Sequence, residues 1–324
     1  MNDPVTRSPA RRLLTVLPTL IGLGLLVGAV FVLQREFRHL KWADITSALT
    51  AISYSALGVA LGWTILAYAI LTLYDRVGTI YAGQKLSYLR VAFSSFCATT
   101  LAHNLGVAAL SGAAVRYRLY AQWGLSPVAI GKVVAFCAFT YGLGALPLGG
   151  AILIWEPSAI PFFGDRLPTL ALYGIGAAFW AASIGYVALN HFLPAIRLFG
   201  HEIALPGTRL AIIQIALASA DVAVTSAIFY ALLPAAAGLT FSRFLGIYLA
   251  SYSAGMMASL PGGIGVFDTA ILLGLEPYLD TATIVSGIVV FRLYYYLIPL
   301  FIAGPAFAGH ELFLRSKSAA PPGG

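Results

Sequence analysis

Charge is what this sequence has least of. Only 10% of its 324 residues are Asp, Glu, Lys or Arg, and 60% are apolar. That balance excludes a soluble domain of this length, whose surface needs more polar cover. The two cysteines, Cys97 and Cys137, both sit in apolar runs. They supply neither a disulfide framework nor a metal spacing, and read as small buried packing residues. The five histidines form no ligand pattern: "HEIAL" at 201 and "HELFL" at 310 each lack the second His of a zinc helix. A Gly-x-Ser-x-Gly elbow and a Gly-Lys phosphate loop are also missing. No metal, no cofactor and no ATPase motor are therefore expected. The net charge is +7, but no basic patch is interleaved with aromatics. Nucleic acid is not an expected partner, and positive-inside loops explain the excess.

What is present is apolar runs of about 20 residues, the length needed to cross a bilayer as helix. They cover 13–33, 53–73, 127–155, 169–189, 208–235 and 282–309. The first follows Arg11 and Arg12. It is longer than a signal-peptide core and further spans follow, so it reads as a retained helix. Two more segments are interrupted. One, 88–114, breaks at "HNLG", His103 to Gly106, and again at Ser111-Gly112. The other, 244–275, breaks at "LPGGIGVFD", where Pro261, Gly262, Gly263 and Gly265 crowd into five residues.

The spacing suggests an internal repeat. Spans start at 13 and 169, 53 and 208, 127 and 282, and the breaks sit at 104 and 261, giving offsets of 155 to 157 residues. The expected fold is all-α and polytopic, one integral membrane unit over 1–324. Its halves, roughly 13–155 and 169–309, each hold three spanning helices and one broken re-entrant segment. Three crossings per half would invert the second half. With the N-terminus inside, the basic residues Arg76, Lys85, Arg90, Arg116, Arg118, Arg197 and Arg209 fall inside, and the acidic loop of Glu156 and Asp165 outside. Tails 1–12 and 315–324 are then cytoplasmic. Broken helices at membrane depth are tolerated where backbone lines a cavity or is buried in protein. Paired breaks at matching positions point to a transport site, whereas a kinked packing contact would need only one proline.

Four stretches resemble the lysylphosphatidylglycerol synthase transmembrane-region family. They are "LPGGIGVFD", "HNLGVAALSGAAVRYRLYAQWGLS" (103–126), "ASADVAVTSAIFYALLP" (218–234) and "FRLYYYLIP" (291–299). They run in the family's order over most of the chain. Asp268 stands where that family's signature carries Glu. The resemblance implies a bacterial inner-membrane protein that moves lipid between leaflets, of an anionic, polyprenyl or hopanoid type. Membrane lipids and lipid-synthesis enzymes are its expected partners. The chain ends at "RSKSAAPPGG", so the soluble aminoacyl-transferase of two-part members is expected to be absent. An intramembrane lipid-modifying enzyme and a scaffold for envelope-synthesis enzymes are the alternatives.

No catalytic residue is expected. The candidate lipid-binding and transport residues are Asn104, Arg116, Arg118, Asp221, Pro261, Gly262, Gly263, Gly265, Asp268, Arg292 and Tyr295. Asp221 lies roughly 20 Å and Arg292 roughly 15 Å along their spans. Both are near the middle of a hydrocarbon core about 30 Å thick. They either pair with each other, or Arg292 binds lipid phosphate with its planar fork. Arg116 and Arg118 near the inner interface are read equally well as orientation signals that snorkel. Asn104 and Asp268 are placed to satisfy backbone freed at the breaks. Asp268 either caps the half-helix after the break or repels a second phosphate there.

Overall fold

A computed structural model describes residues 42–105, 108–159, 167–198, 201–257 and 265–319. The chain is an all-α polytopic membrane protein. Five described helical stretches are long and apolar enough to cross a bilayer: Tyr54–Tyr81, Pro127–Trp155, Thr169–Phe192, Thr208–Tyr230 and Thr281–Leu312. They correspond to the second to sixth runs in the sequence. The first run, 13–33, lies outside the described residues, as do Pro261, Gly262 and Gly263.

The helices are α1 (Trp42–Ala51), α2 (Tyr54–Tyr81), α3 (Tyr88–Leu105), α4 (Ala108–Gln122), α5 (Pro127–Leu143) and α6 (Ala145–Trp155). After a 3₁₀ turn (Pro157–Ala159) come α7 (Thr169–Phe192), α8 (Thr208–Tyr230), α9 (Phe241–Met257), α10 (Val266–Leu275) and α11 (Thr281–Arg292). A π turn (Leu293–Leu297) joins α11 to α12 (Ile298–Ala319). Their starts carry ordinary caps. Ser53, Ser126 and Asp280 accept backbone N–H groups of Ala56, Ala129 and Thr283 at 3.3, 3.2 and 3.0 Å. Pro127 follows its cap at the first helical position, where its missing N–H costs nothing.

Several boundaries differ from the sequence reading, each for a local reason. The run 127–155 is two helices meeting at a turn at Gly144. The run 208–235 ends as helix at Tyr230, four residues before Pro234. α2 continues to Tyr81 and α12 to Ala319, carrying polar residues that the apolar window had assigned to loops. The Arg197 loop is a two-stranded hairpin, β1 (Ala195–Leu198) with β2 (His201–Ala204), which sets Arg197 opposite Glu202. The expected second break at Ser111-Gly112 is not a break, because α4 runs through both residues. A Cβ on Gly112 would lie 3.2 Å from the Ala102 Cβ, so this glycine serves close approach of α3 and α4.

Both interrupted segments fold as pairs of short helices. α3 packs against α4 and α9 against α10. They have 18, 15, 17 and 10 residues, under the roughly 20 of a full span. α2 lies along α8 at the centre of the molecule. Around them the two halves make matching contacts. α2 meets α3 and α5, as α8 meets α9 and α11. The α3 helix packs on α12 of the other half, and α9 packs on α6 of the first. Apolar side chains such as Ile65, Leu170 and Ile184 point outward, as lipid-facing surface requires. Tyr54 and Trp155 are exposed at helix ends, the level preferred by amphipathic aromatics.

Candidate functional site

The two breaks meet at one place, the π turn between α11 and α12. Pro299 lacks the N–H that would bond the Tyr295 carbonyl four residues earlier. The chain widens there, and Ile298 N–H reaches back five residues to the Leu293 carbonyl. Two freed carbonyls then find other donors. The Tyr68 hydroxyl of α2 donates to Tyr295 O at 2.9 Å, and Asn104 Nδ2 at the end of α3 donates to Tyr296 O at 3.3 Å. Asn104 also donates to Thr100 O at 2.8 Å. Its neighbour His103 lies against the rings of Tyr295 and Tyr296, at 5.3 and 6.0 Å. Asn104 and Tyr295, picked out separately in the sequence, thus come together at one π turn, Asn104 through the Tyr296 carbonyl.

The second break arrives from the other side. Gly265 has φ +82, a conformation that L side chains rarely adopt. Its N–H donates to Asp268 Oδ2 at 2.9 Å, so Asp268 does cap the half-helix. The same carboxylate accepts from Arg292 Nε at 3.1 Å, and from Nη2 at 2.8 Å on each oxygen. The Arg292 guanidinium also sits 5.7 Å from the Tyr296 ring centroid. The expected alternative of an Asp221–Arg292 pair is corrected here. The half-helix start brings Asp268 to the arginine first, and Asp221 is engaged elsewhere. The Arg292 and Asp268 side chains keep 11% and 24% of their surface, so this charge pair stays reachable.

Arg116 is not a snorkelling interface residue. It is buried and forks onto Asp75 of α2, with Nε–Oδ1 2.8 Å and Nη2–Oδ2 2.7 Å. The Tyr120 hydroxyl donates to Asp75 Oδ1 at 2.8 Å. Sequence reasoning misses Asp75 because the apolar run 53–73 stops short of it and leaves it in a loop. Its signal was an acid and a base, Asp75 and Arg76, directly at the end of a hydrophobic stretch. Arg118 forms a separate fork, to Glu311 of α12 at 2.9 and 2.7 Å, and Gln122 Nε2 donates to the same carboxylate at 3.1 Å. Glu311 was missed for the same reason as Asp75.

Asp221 links these regions. It is buried, and the Tyr74 hydroxyl donates to its Oδ2 at 3.1 Å. Tyr74 touches the ring of Tyr141 at 5.2 Å, whose hydroxyl lies 3.4 Å from Thr99 Oγ1 beside Arg116. Tyr141, Tyr252 and Tyr296 each keep some accessible surface. Among the described residues Ser94 Oγ, Thr100 Oγ1, His103 Nδ1, Asp221 Oδ1 and Thr225 Oγ1 are buried without a hydrogen-bond partner. Buried polar groups are normally paired, so these atoms are ones that water or ligand can serve. No group of three or more His, Cys, Asp or Glu that could hold a metal ion occurs among the described residues.

Comparison with known proteins places the chain. The family model "Lysylphosphatidylglycerol synthase TM region" matches residues 19–304. The Synechocystis protein slr0712 is 31% identical over 303 residues, 93% of this chain and 94% of that one. The Escherichia coli inner membrane protein YbhN is 27% identical over 281 residues, 86% and 87% of the two chains. The phosphatidylglycerol lysyltransferase of Bacillus subtilis is 24% identical over 307 residues, 92% of this chain but 35% of the longer enzyme.

Proposed function

The chain belongs to the lysylphosphatidylglycerol synthase transmembrane-region family, and from that footing we propose that it is a lipid translocase. The observation that carries the reading is the meeting of two broken helices at the π turn, beside a partly exposed arginine–carboxylate pair. The cargo is an anionic lipid. Its phosphate competes with Asp268 for the two-oxygen fork of Arg292. When the phosphate leaves, Asp268 takes Arg292 back, so the arginine never stands alone in a low-dielectric interior. Asp268 is already held by the Gly265 N–H, which gives it a fixed place to wait. The partly exposed rings of Tyr141, Tyr252 and Tyr296 offer an amphipathic path for a head group, while the acyl chains stay in the bilayer. Matching contacts of the two halves support an inverted repeat, in which the α3–α4 and α9–α10 hairpins enter from opposite faces and meet mid-membrane. The termini are then cytoplasmic and the membrane is the bacterial inner membrane. Loading the site is a change of populations between inward- and outward-open forms.

Vesicles containing the purified protein and a fluorescent phosphatidylglycerol test this. Arg292→Lys keeps the charge and loses the fork, and transport is expected to fall about tenfold or more, the loss of one charge-assisted hydrogen bond. Arg292→Ala is expected to abolish it. Undiminished transport by folded Arg292→Ala protein overturns the assignment of the phosphate to Arg292. Absence of transport by the parent protein under all lipid compositions overturns the translocase reading itself.

A further inference from the structure

Most carboxylates turned into this protein meet an arginine, and one does not. Asp75, Glu311, Glu156 and Asp268 are each within 2.7 to 3.2 Å of one. Asp221 forms no ion pair among the described residues, although only 7% of its surface is exposed. It lies 13 residues after Thr208, about 20 Å along α8. Tyr74 occupies Oδ2 and leaves Oδ1 without a hydrogen-bond partner. Thr225, one turn on and 5% exposed, has an equally unpartnered hydroxyl.

Among the described residues the surroundings supply no compensating charge. The ionisable groups facing Asp221 are Tyr68 and Tyr74 of α2, Tyr141 of α5, Tyr248 and Tyr252 of α9, and Tyr295 of the π turn. α6 carries no ionisable residue, Tyr186 of α7 bonds Gln214, and Arg292 at the end of α11 is taken by Asp268. An uncompensated carboxylate at such depth is costly, and in membrane proteins such a group marks an ion path.

We propose that Asp221 is the binding site of a monovalent cation, a proton or a sodium ion, whose movement drives lipid transport. A proton on Oδ1 neutralises the group outright. A sodium ion would be drawn to the same Oδ1 together with Thr225 Oγ1, hard oxygen donors of the kind such a cation takes. Tyr74 links Asp221 to Tyr141, so filling or emptying the site alters the charge beside the proposed path of the head group. This inference rests on the translocase reading, and its test separates the two.

Vesicles of phosphatidylglycerol and phosphatidylcholine with a fluorescent phosphatidylglycerol are compared under no gradient, a pH gradient and a sodium gradient. One gradient is expected to speed transport in the parent protein. Asp221→Asn, which keeps the shape and the acceptor for Tyr74, should bring the driven-to-undriven ratio to about one, since no differential ion binding remains. Thr225→Val tells the sources apart. It should raise the sodium requirement about tenfold if sodium is the ion, the loss of one ligand interaction, and leave a proton-driven rate unchanged. Equal rates under all three conditions overturn the coupling and leave the translocase reading standing. If the parent moves no lipid, melting of the detergent-purified protein across sodium concentration and pH decides. A dependence that Asp221→Asn removes supports the site, and superimposable curves for the two proteins overturn it.

Discussion

The Arg116–Asp75 and Arg292–Asp268 pairs use the same chemistry for different ends. Each is an arginine fork on a carboxylate, and each ties a half-helix of a broken segment to a neighbouring helix. Their surroundings differ. The Arg116 and Asp75 side chains keep 6% and 0% of their surface, and Tyr120 adds a further donor. The Arg292 and Asp268 side chains keep 11% and 24%, and one Asp268 oxygen also caps Gly265. A fully enclosed and saturated pair has no reason to open, because nothing nearby replaces either partner. A pair with exposed edges can exchange one partner for a ligand. The first locks the fold, and the second is the pair to which the proposed function assigns the exchange.

Mutation can break that contrast. The largest effect is expected at the lock. Arg116→Ala should cost about 3–5 kcal/mol, since it strands the Asp75 charge in the interior. Thermal unfolding in detergent reads this directly. Loss as great from Arg292→Ala as from Arg116→Ala would erase the distinction, because an exchangeable pair should cost more transport than stability. A middle effect is expected at Gly265. Alanine there should cost about 1–2 kcal/mol, because an L side chain resists the left-handed backbone. No described residue lies within 4 Å of where its Cβ would stand, so the loss should not grow with side-chain size. A steep decline from Ala to Val to Leu would point instead to a tight backbone contact at the second break.

The smallest effects are expected at the caps of α5 and α11, Ser126 and Asp280, which occupy matching places in the two halves. Hydrogen bonds from the Thr283 hydroxyl and backbone N–H hold the exposed Asp280 carboxyl below the usual carboxylate range. Its contribution is present above the unfolded-state value and is lost as pH falls through the lowered folded one. Asp280→Ala should therefore destabilise near neutral pH and become neutral in acid. Ser126→Ala should be slightly destabilising at every pH, since a hydroxyl does not titrate there. A pH-independent Asp280→Ala would show that Thr283 does not favour the charged form.

The broken segments were legible because proline and glycine clusters act locally. So were five of the spans, because their apolar length is a property of the chain alone. Asn104, Asp268 and Arg292 stood out as polar groups in apolar stretches. Asp75 and Glu311 did not, because an apolar window stops at the first charge and assigns it to water. The helices in fact continue through both residues, and an arginine from a distant segment meets each one.

Composition and chain order thus determined the class: a membrane protein of long helices, with two interruptions at comparable positions. Local chemistry also set the caps, the Gly265 turn and the π turn, where Pro299 removes one donor. Partner choice belonged to the tertiary structure. Whether Arg292 meets Asp221 or Asp268 depends on helix packing over many residues, since an ion pair is decided by a few ångströms of distance that no sequence spacing encodes. Among the described residues the same packing left Asp221 without an arginine, an absence that only the assembled helices make visible.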